Sequence, residues 1–410
     1  MSYRTFVGFG FGPIQSALFL FEAWRSGNFS RFVVAEVMPE LVAAIRANGG
    51  AYCVNIAHQD GIEQVAVDGV ELCNPAVPQD RARLIEAIAQ ADELATALPS
   101  VDFFDRGQET SVARLLADGL ERKAGPAVIY AAENHNHAAE ILAEKITGHR
   151  PVPAHVQILN TVVGKMSGVI TDGDTIRALN LAPMTPGACK AILVEEFNRI
   201  LVSRITLAGF RRGIEVFIEK DDLLPFEEAK LYGHNAIHAL IGYLAEQRGL
   251  RTVADAAAHP DLLETARRAF IDESGAALIR RHAGLGDSLF TAQGYRAYAE
   301  DLMKRMVNPY LNDLVARVVR DPVRKLGYDD RFFGTMRLAL EHGIRPINLA
   351  RGAAAAVLYL MKTTGQCTAD VEAILRRIWG DAIDGHAAAL VEMTREAIRF
   401  QSNAPPMVDR

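Results

Sequence analysis

The chain has 410 residues, half of them hydrophobic and 23% charged, a composition that excludes a disordered or fibrous protein and leaves room for two cores. Its formal net charge of −6 argues against a large nucleic-acid footprint, which needs concentrated Lys and Arg. Four widely separated cysteines, Cys53, Cys73, Cys189 and Cys367, form no CxxC or CxxH pattern and read as reduced thiols of a cytoplasmic protein, not as disulfides or zinc ligands.

The first element is a short β-rich run from Tyr3 that feeds a glycine cluster, Gly8, Gly10 and Gly12, and then Pro13. An amphipathic helix is expected from Ile14 to Ser26. The run Ala17 to Phe21 is apolar, but Glu22, Arg25 and the upstream glycines break it, so neither a signal peptide nor a membrane span is expected. Strand, tight turn and helix in this order suit a dinucleotide: the glycines let backbone approach a pyrophosphate, and the helix N-terminus favours its charge. Gly8 and Gly10 fit the fingerprint. The third glycine falls at Pro13, which a first helical turn tolerates, and Gly12 takes over part of the close approach.

A second strand, Arg31 to Ala35, ends in Glu36. A carboxylate there accepts both hydroxyls of an adenosine ribose and repels a 2′-phosphate, favouring NAD over NADP; the alternative is a solvated acid at a strand end. The spans 52–57 and 62–67 read as a pair of short strands, 81–90 as a helix, and 93–97 as a strand whose end, Thr96 to Ser100, is expected beside the cofactor. A helix over 112–122 precedes a buried strand over 127–132, which ends in Glu133 and Asn134. Open parallel sheets bind ligands beyond the carboxyl ends of their strands, where these two residues would stand. His135 and His137 read as a metal pair or, preferably, as flanks of a helix over 138–146 that Asn136 caps. Asn160 opens another polar-ended apolar segment, and 192–196 adds a strand.

From about residue 221 the texture becomes alanine- and leucine-rich with a helical period. Helices are expected over 225–247, 260–271, 289–305, 309–319, 330–342, 346–362, 368–379 and 384–399. The expected architecture is therefore α/β plus all-α: a Rossmann-type dinucleotide-binding domain over 1–221 and an all-helical domain over 222–410 that carries substrate and catalysis.

The first helix of the second half opens on Lys230, Leu231, Tyr232, Gly233, His234, Asn235, Ala236, Ile237 and His238. Read as a helix, positions 230, 234, 235 and 238 share one broad face, with an amine, a carboxamide and two imidazoles on it. A partly desolvated lysine has a lowered pKa and serves as a base near neutral pH. The Asn donates to an oxygen gaining negative charge, and the His holds a neighbouring hydroxyl. This set suits removal of a proton from an alcohol; the alternative is a solvated lysine above packed histidines. His234 and His238 also have the spacing of a zinc helix, but the Glu that a zincin needs after the first His is Asn235 here, so no metal is expected.

Together, Lys230-x4-Asn235-x2-His238, Glu133-Asn134 after a central strand, the Asn160 segment and the N-terminal glycine turn resemble the polyol-specific long-chain dehydrogenases, the zinc-independent mannitol dehydrogenase family. The stretch Arg320-Asp321-Pro322-Val323-Arg324-Lys325-Leu326, with Asp330-Arg331, looks like its branch that contains mannitol-1-phosphate 5-dehydrogenase. The resemblance covers nearly the whole chain. It implies an N-terminal Rossmann domain, a C-terminal helical domain and catalysis in the cleft between them. It also implies NAD as cofactor and a small-molecule polyol or polyol phosphate as substrate, with no nucleic-acid or membrane partner and a monomeric or small homo-oligomeric state. Lys230 would be the general base of oxidation, Asn134 and Asn235 the oxyanion donors, and His238 a ligand of an adjacent hydroxyl. Gly164-Lys165 stands where the family usually carries an Asp-Arg pair. The basic residues Arg320, Arg324, Lys325 and Arg331 either hold a phosphate dianion or form a solvated cluster paired with Asp321, Asp329 and Asp330. Rival readings are a free-mannitol 2-dehydrogenase, a hexuronate reductase and a non-catalytic NAD-binding sensor.

Overall fold

The computed structural model describes residues 4–365, 370–380 and 385–402, and the chain divides into two compact units, Met1–Leu224 and Pro225–Arg410. Cys367 and the expected starts of the helices at 368 and 384 lie outside the described residues.

Among its described residues the first unit has twelve strands: β1 (Thr5–Phe9), β2 (Arg31–Ala35), β3 (Tyr52–Ala57), β4 (Ile62–Val67), β5 (Val70–Cys73), β6 (Glu93–Thr96), β7 (Ala127–Ala131), β8 (Val156–Val162), β9 (Ser167–Ile170), β10 (Ala191–Glu195), β11 (Leu201–Ser203) and β12 (Ile218–Lys220). The main sheet runs β12-β11-β8-β7-β6-β1-β2-β5. Its stretch β5-β2-β1-β6-β7-β8 is parallel throughout and has the doubly wound strand order of dinucleotide-binding folds. Strands in such a sheet are covered on both faces, which is why β1 and β7 read as unbroken apolar runs. Alternate residues go to opposite cores: Phe6, Val34, Val128 and Tyr130 to one, Val7, Val33, Leu94 and Ile129 to the other. The order reverses between β1 and β6, the point at which open sheets of this kind take ligands beyond their strand ends.

The strands expected at 52–57 and 62–67 do pair, β3 antiparallel to β4, and with β10, which lies parallel to β3, they build a second sheet of order β4-β3-β10-β9. One expectation needs correction. The helix after the glycine turn is not α-helical throughout, because Gln15–Phe19 forms a π turn between its first two residues, Pro13 and Ile14, and the α-helical Leu20–Arg25.

The second unit is helical, as its period predicts. Its long helix Ile347–Thr364 packs against Ala236–Gln247 and Ala387–Ser402. A side chain at Gly352 would meet Phe332 at 2.8 Å and Leu240 at 3.0 Å, so the bare glycine permits this close approach. Two helices expected to be regular are interrupted by π turns, Ala229–Asn235 and Ala269–Gly275. The helix expected over 309–319 is broken. Pro309–Leu311 is a single 3-10 turn, Asn312 takes a left-handed conformation with φ +47°, and helix resumes only at Val315–Val318. Between them Leu314 bridges to Thr252, and Val253 N donates to Asp313 O at 2.8 Å. No helix among the described residues is long and apolar enough to cross a membrane.

Candidate active site

In the first unit, Gly10 sits at φ +81°, and its N–H donates to Ala35 O at 2.9 Å, drawing the turn over the end of β2. A side chain at Gly8 would overlap the buried Gln15 amide, and one at Gly10 would meet Ala97 O at 3.2 Å. Both glycines are therefore set by the closeness of helix and neighbouring strand. Gly12 differs: it is exposed, and nothing lies within 4 Å of where its side chain would be. Its bare backbone stands exposed at the start of a helical run.

Glu36 follows β2 and is buried at 7% exposure, so it is not the solvated strand-end acid. Its Oε1 accepts from Met38 N at 2.8 Å. Thr96 has no exposed surface, and its hydroxyl donates to Glu133 Oε2 at 2.9 Å. A ligand beside β6 therefore meets the loop after Thr96 rather than its side chain. Glu133 Oε1 accepts from Leu98 N at 2.8 Å. Burial pushes the Glu133 carboxyl up to about 7, while the donations from Leu98 and Thr96 hold it back. Asn134, the next residue, is exposed at the mouth of the sheet.

Asn136 does not cap the following helix. Its cap residue is His137, with no side-chain bond of its own, and Ala139 N donates instead to Asn160 Oδ1 at 2.8 Å. Asn160 Nδ2 also donates to Glu140 Oε2 at 2.8 Å, so the polar end of β8 serves this helix. His135 and His137 have ring centroids 6.2 Å apart; among the described residues, no group of three or more His, Cys, Asp and Glu is gathered to hold a metal. Lys165 is buried, and its amine donates to the carbonyls of Glu195 and Phe197 within this unit.

In the second unit, Lys230 and Asn235 lie on the π turn Ala229–Asn235, which joins Leu224–Glu228 to Ala236–Gln247. On a regular α-helix, residues five apart point about 140° away from each other. A π turn bonds i to i+5 and brings them to one side. The shared face thus depends on the π turn, not on α-helical spacing. The turn is held from outside: Ser274 Oγ donates to Tyr232 O at 2.8 Å and Thr335 Oγ1 to the same carbonyl at 3.3 Å. Ser274 itself belongs to the other π turn.

Burial lowers the Lys230 amine to about 8; Glu227 opposes the shift and Arg331 adds to it. His234 is buried, edge-on to His238 with ring centroids 6.3 Å apart. Burial first, and then the neighbouring His238 and the charge of Arg305, push its pKa well below the ordinary histidine value, so it is a neutral packed ring. His238 Nε2 lies 2.6 Å from Asp313 Oδ2, and Arg317 contacts the other Asp313 oxygen at 2.7 Å.

The basic cluster is largely ion-paired. Arg324 meets Asp321 at 2.7 Å, and Arg331 meets Asp330 at 2.8 Å. Lys325 is buried, donates to Arg320 O, and is lowered to about 8 by burial and by its Arg neighbours. Asp329 belongs to a different pair, with Arg337 at 2.6 Å. Arg331 is the cluster member whose charge reaches Lys230. Sequence reading missed Asp313 and Glu227. An acid three residues before the lysine was there to be weighed, whereas Asp313 stood inside an expected helix.

Residues 222–384 match the family model described as the mannitol dehydrogenase C-terminal domain. The chain is 30% identical over 336 residues to a mannitol-1-phosphate 5-dehydrogenase of Bacillus licheniformis, covering 79% of each. Its fold matches a substrate-free D-sorbitol dehydrogenase with a TM-score of 0.75 at 14% identity, covering 98% of this chain and 93% of the other. It also matches Pseudomonas fluorescens mannitol 2-dehydrogenase, solved with NAD and D-mannitol, with a TM-score of 0.72 at 15% identity, covering 98% and 92%.

Proposed function

This chain belongs to the mannitol dehydrogenase family, and from that premise we propose that it oxidises a secondary alcohol of a sugar alcohol or sugar-alcohol phosphate to the ketose, with Lys230 as general base. It is an enzyme, an NAD-dependent polyol dehydrogenase, and conversion of mannitol 1-phosphate to fructose 6-phosphate is the type of reaction proposed. NAD, when bound, accepts the hydride from the carbinol carbon. The exposed Gly12 and the buried Glu36 at the end of β2 are the residues that would hold it.

The observation that carries the reading is the half-buried Lys230 on a π turn that also presents Asn235, where burial lowers the amine to about 8. An amine with that pKa is partly deprotonated near neutral pH and takes the proton of a substrate hydroxyl. Asn235, with Asn134 of the first unit, donates to the oxygen as it gains negative charge, and His238 binds the adjacent hydroxyl. No metal is required for these steps. Lys325 and Arg331 are the proposed phosphate ligands, with Arg324 at their edge.

The pairing of Arg324 with Asp321 and of Arg331 with Asp330 favours a second reading, a free polyol as substrate. Initial rates of NADH formation with mannitol 1-phosphate, free mannitol and other pentitols and hexitols separate the two. Preference for the phosphate supports the first reading. Turnover of free polyols alone makes the basic cluster structural. NAD binding without turnover of any of them defeats the polyol proposal and points to a uronate substrate or a sensor.

A further inference from the structure

Asp313 is nearly buried, at 7% exposure, on an extended segment that the sequence pattern presents as helix. Its backbone is fixed on both sides. Asn312 before it is turned left-handed, its own carbonyl accepts from Val253 N at 2.8 Å, and Val315 N donates to Arg251 O at 3.0 Å. Its carboxylate is divided between two partners. Oδ2 faces His238 Nε2 at 2.6 Å, while Oδ1 accepts from Arg317 Nε at 3.0 Å and Nη2 at 2.7 Å.

We infer that Asp313 is a positioning residue that holds His238 as the Nε2–H tautomer, so that Nδ1 presents a lone pair to a substrate hydroxyl. An ionised carboxylate only accepts, so the proton in the Asp313–His238 bond resides on Nε2. The remaining nitrogen of the neutral ring is then an acceptor, and it selects a ligand with an O–H to donate. Among the described residues, no protein group bonds to His238 Nδ1. Among the described residues, the ring beside it is that of His234, which is buried. Burial would raise the Asp313 carboxyl, but the bond from His238, that ring's charge when it is protonated, and then the charge of Arg317 outweigh it and bring it down to about 2. Arg317 thus keeps the acceptor ionised while it points at the imidazole. The inference deepens the proposed function: it assigns the hydroxyl next to the reacting carbon as a donor to Nδ1, and it rests on that reading for the substrate.

Two measurements test it, and only one needs turnover. In the full chain labelled with [15N]histidine, two-bond 1H–15N correlation at pH 8 reports the tautomer of each ring, and His238→Gln assigns the His238 signals by their loss. The expected pattern is a neutral ring protonated at Nε2, which shifts toward an Nδ1–H mixture in Asp313→Asn. An Nδ1–H ring or an imidazolium in the wild-type chain overturns the inference, and that spectrum decides the point even where a variant does not fold. In kinetics, Asp313→Asn should raise KM for the polyol roughly ten- to hundredfold, the loss of one charge-assisted hydrogen bond, with a smaller fall in kcat. Combining it with His238→Gln should cost no more than His238→Gln alone, whereas additive losses overturn the coupling. Absence of turnover in the wild-type chain would count against the substrate reading and leave the tautomer to the spectrum.

Discussion

The hydroxyl of Thr96 and the carboxylate of Glu133 are joined by a 2.9 Å hydrogen bond that ties the end of β6 to the end of β7. The second carboxylate oxygen takes Leu98 N, so the loop after β6 is fastened to the residue immediately before Asn134. Two neighbouring strands of the main sheet are thereby locked at their carboxyl ends, and the lock is a single buried acid.

That acid makes the stability of the first unit depend on pH. The Glu133 carboxyl is raised from 4.5 to about 7, so the folded chain holds a proton that the unfolded chain has released. Its contribution to stability is full below about 4.5 and is lost as pH rises through about 7. The shift corresponds to about 3 kcal/mol across that window. Urea unfolding of the wild-type chain and of Glu133→Gln at pH 5 and pH 8 checks this. The difference between the two proteins should change by an amount of that order, and an unchanged difference would refute the assignment.

Lys230 sets a second pH dependence, in activity. A base must be deprotonated to act, so kcat/KM for polyol oxidation should rise with pH and level off above about 8. The Glu227 charge raises the amine's pKa, so Glu227→Gln should move the rising limb to lower pH. Lys230→Ala should lower turnover by roughly 10²–10⁴-fold while leaving NAD binding intact. Initial rates from pH 6 to 10, with NAD affinity followed by calorimetry, test all three statements. Near-normal rates in Lys230→Ala would remove the lysine from the chemistry.

The sequence made the fold readable where local pattern and tertiary demand coincide. β1, β6 and β7 are fully covered strands and β2 is covered but for Arg31, and their runs end in glycines or polar residues where the chain leaves the sheet. Lys230, Asn235 and His238 were legible as residue types at a spacing, but their geometry was not. The π turn that aligns the first two is held by Ser274 and Thr335, more than 40 residues away, and no local period announces it. Asp313 was hidden for the same reason. Its neighbours Val315 to Val318 continue a helical pattern, and only the bridge from Leu314 to Thr252 draws the segment into an extended form. Asn136 beside a helix start was a sound local cap, displaced because Asn160 reaches the helix from another strand.

Gly10 carries the nucleotide prediction. Its φ of +81° disfavours any residue with a side chain, and an added methyl group would press on Ala97 O at 3.2 Å. Gly10→Ala should strain the turn by about 1–2 kcal/mol, which corresponds to roughly a tenfold loss of NAD affinity if the turn shifts to relieve it. Gly12→Ala meets no protein atom within 4 Å, so any loss of affinity there comes from the ligand side. Titrating NAD into both variants by calorimetry, with circular dichroism to check folding, separates the two effects. Affinity unaltered in both would place the cofactor elsewhere.

Gly233 offers the sharpest test of the π turn itself. In the interior of an exposed helix, Gly→Ala stabilises by about 1 kcal/mol. Here the new methyl group would lie 2.8 Å from the Tyr295 hydroxyl and 2.9 Å from the Phe270 ring, both fully buried. Neither can retreat, since Tyr295 packs edge-on to Phe270 and Tyr298, and its hydroxyl lies 3.3 Å from Ser274 Oγ. Gly233→Ala should therefore destabilise the second unit by about 1–3 kcal/mol, as overpacking does. The backbone between Lys230 and Asn235 is the part able to move, so turnover should fall further than the lost stability accounts for. Tyr295→Phe removes the hydroxyl from the clash and should restore part of the activity of Gly233→Ala. Thermal unfolding and kcat for the two single variants and the double variant make the comparison, and a Gly233→Ala enzyme that is stable and fully active would show that the π turn does not set the catalytic register.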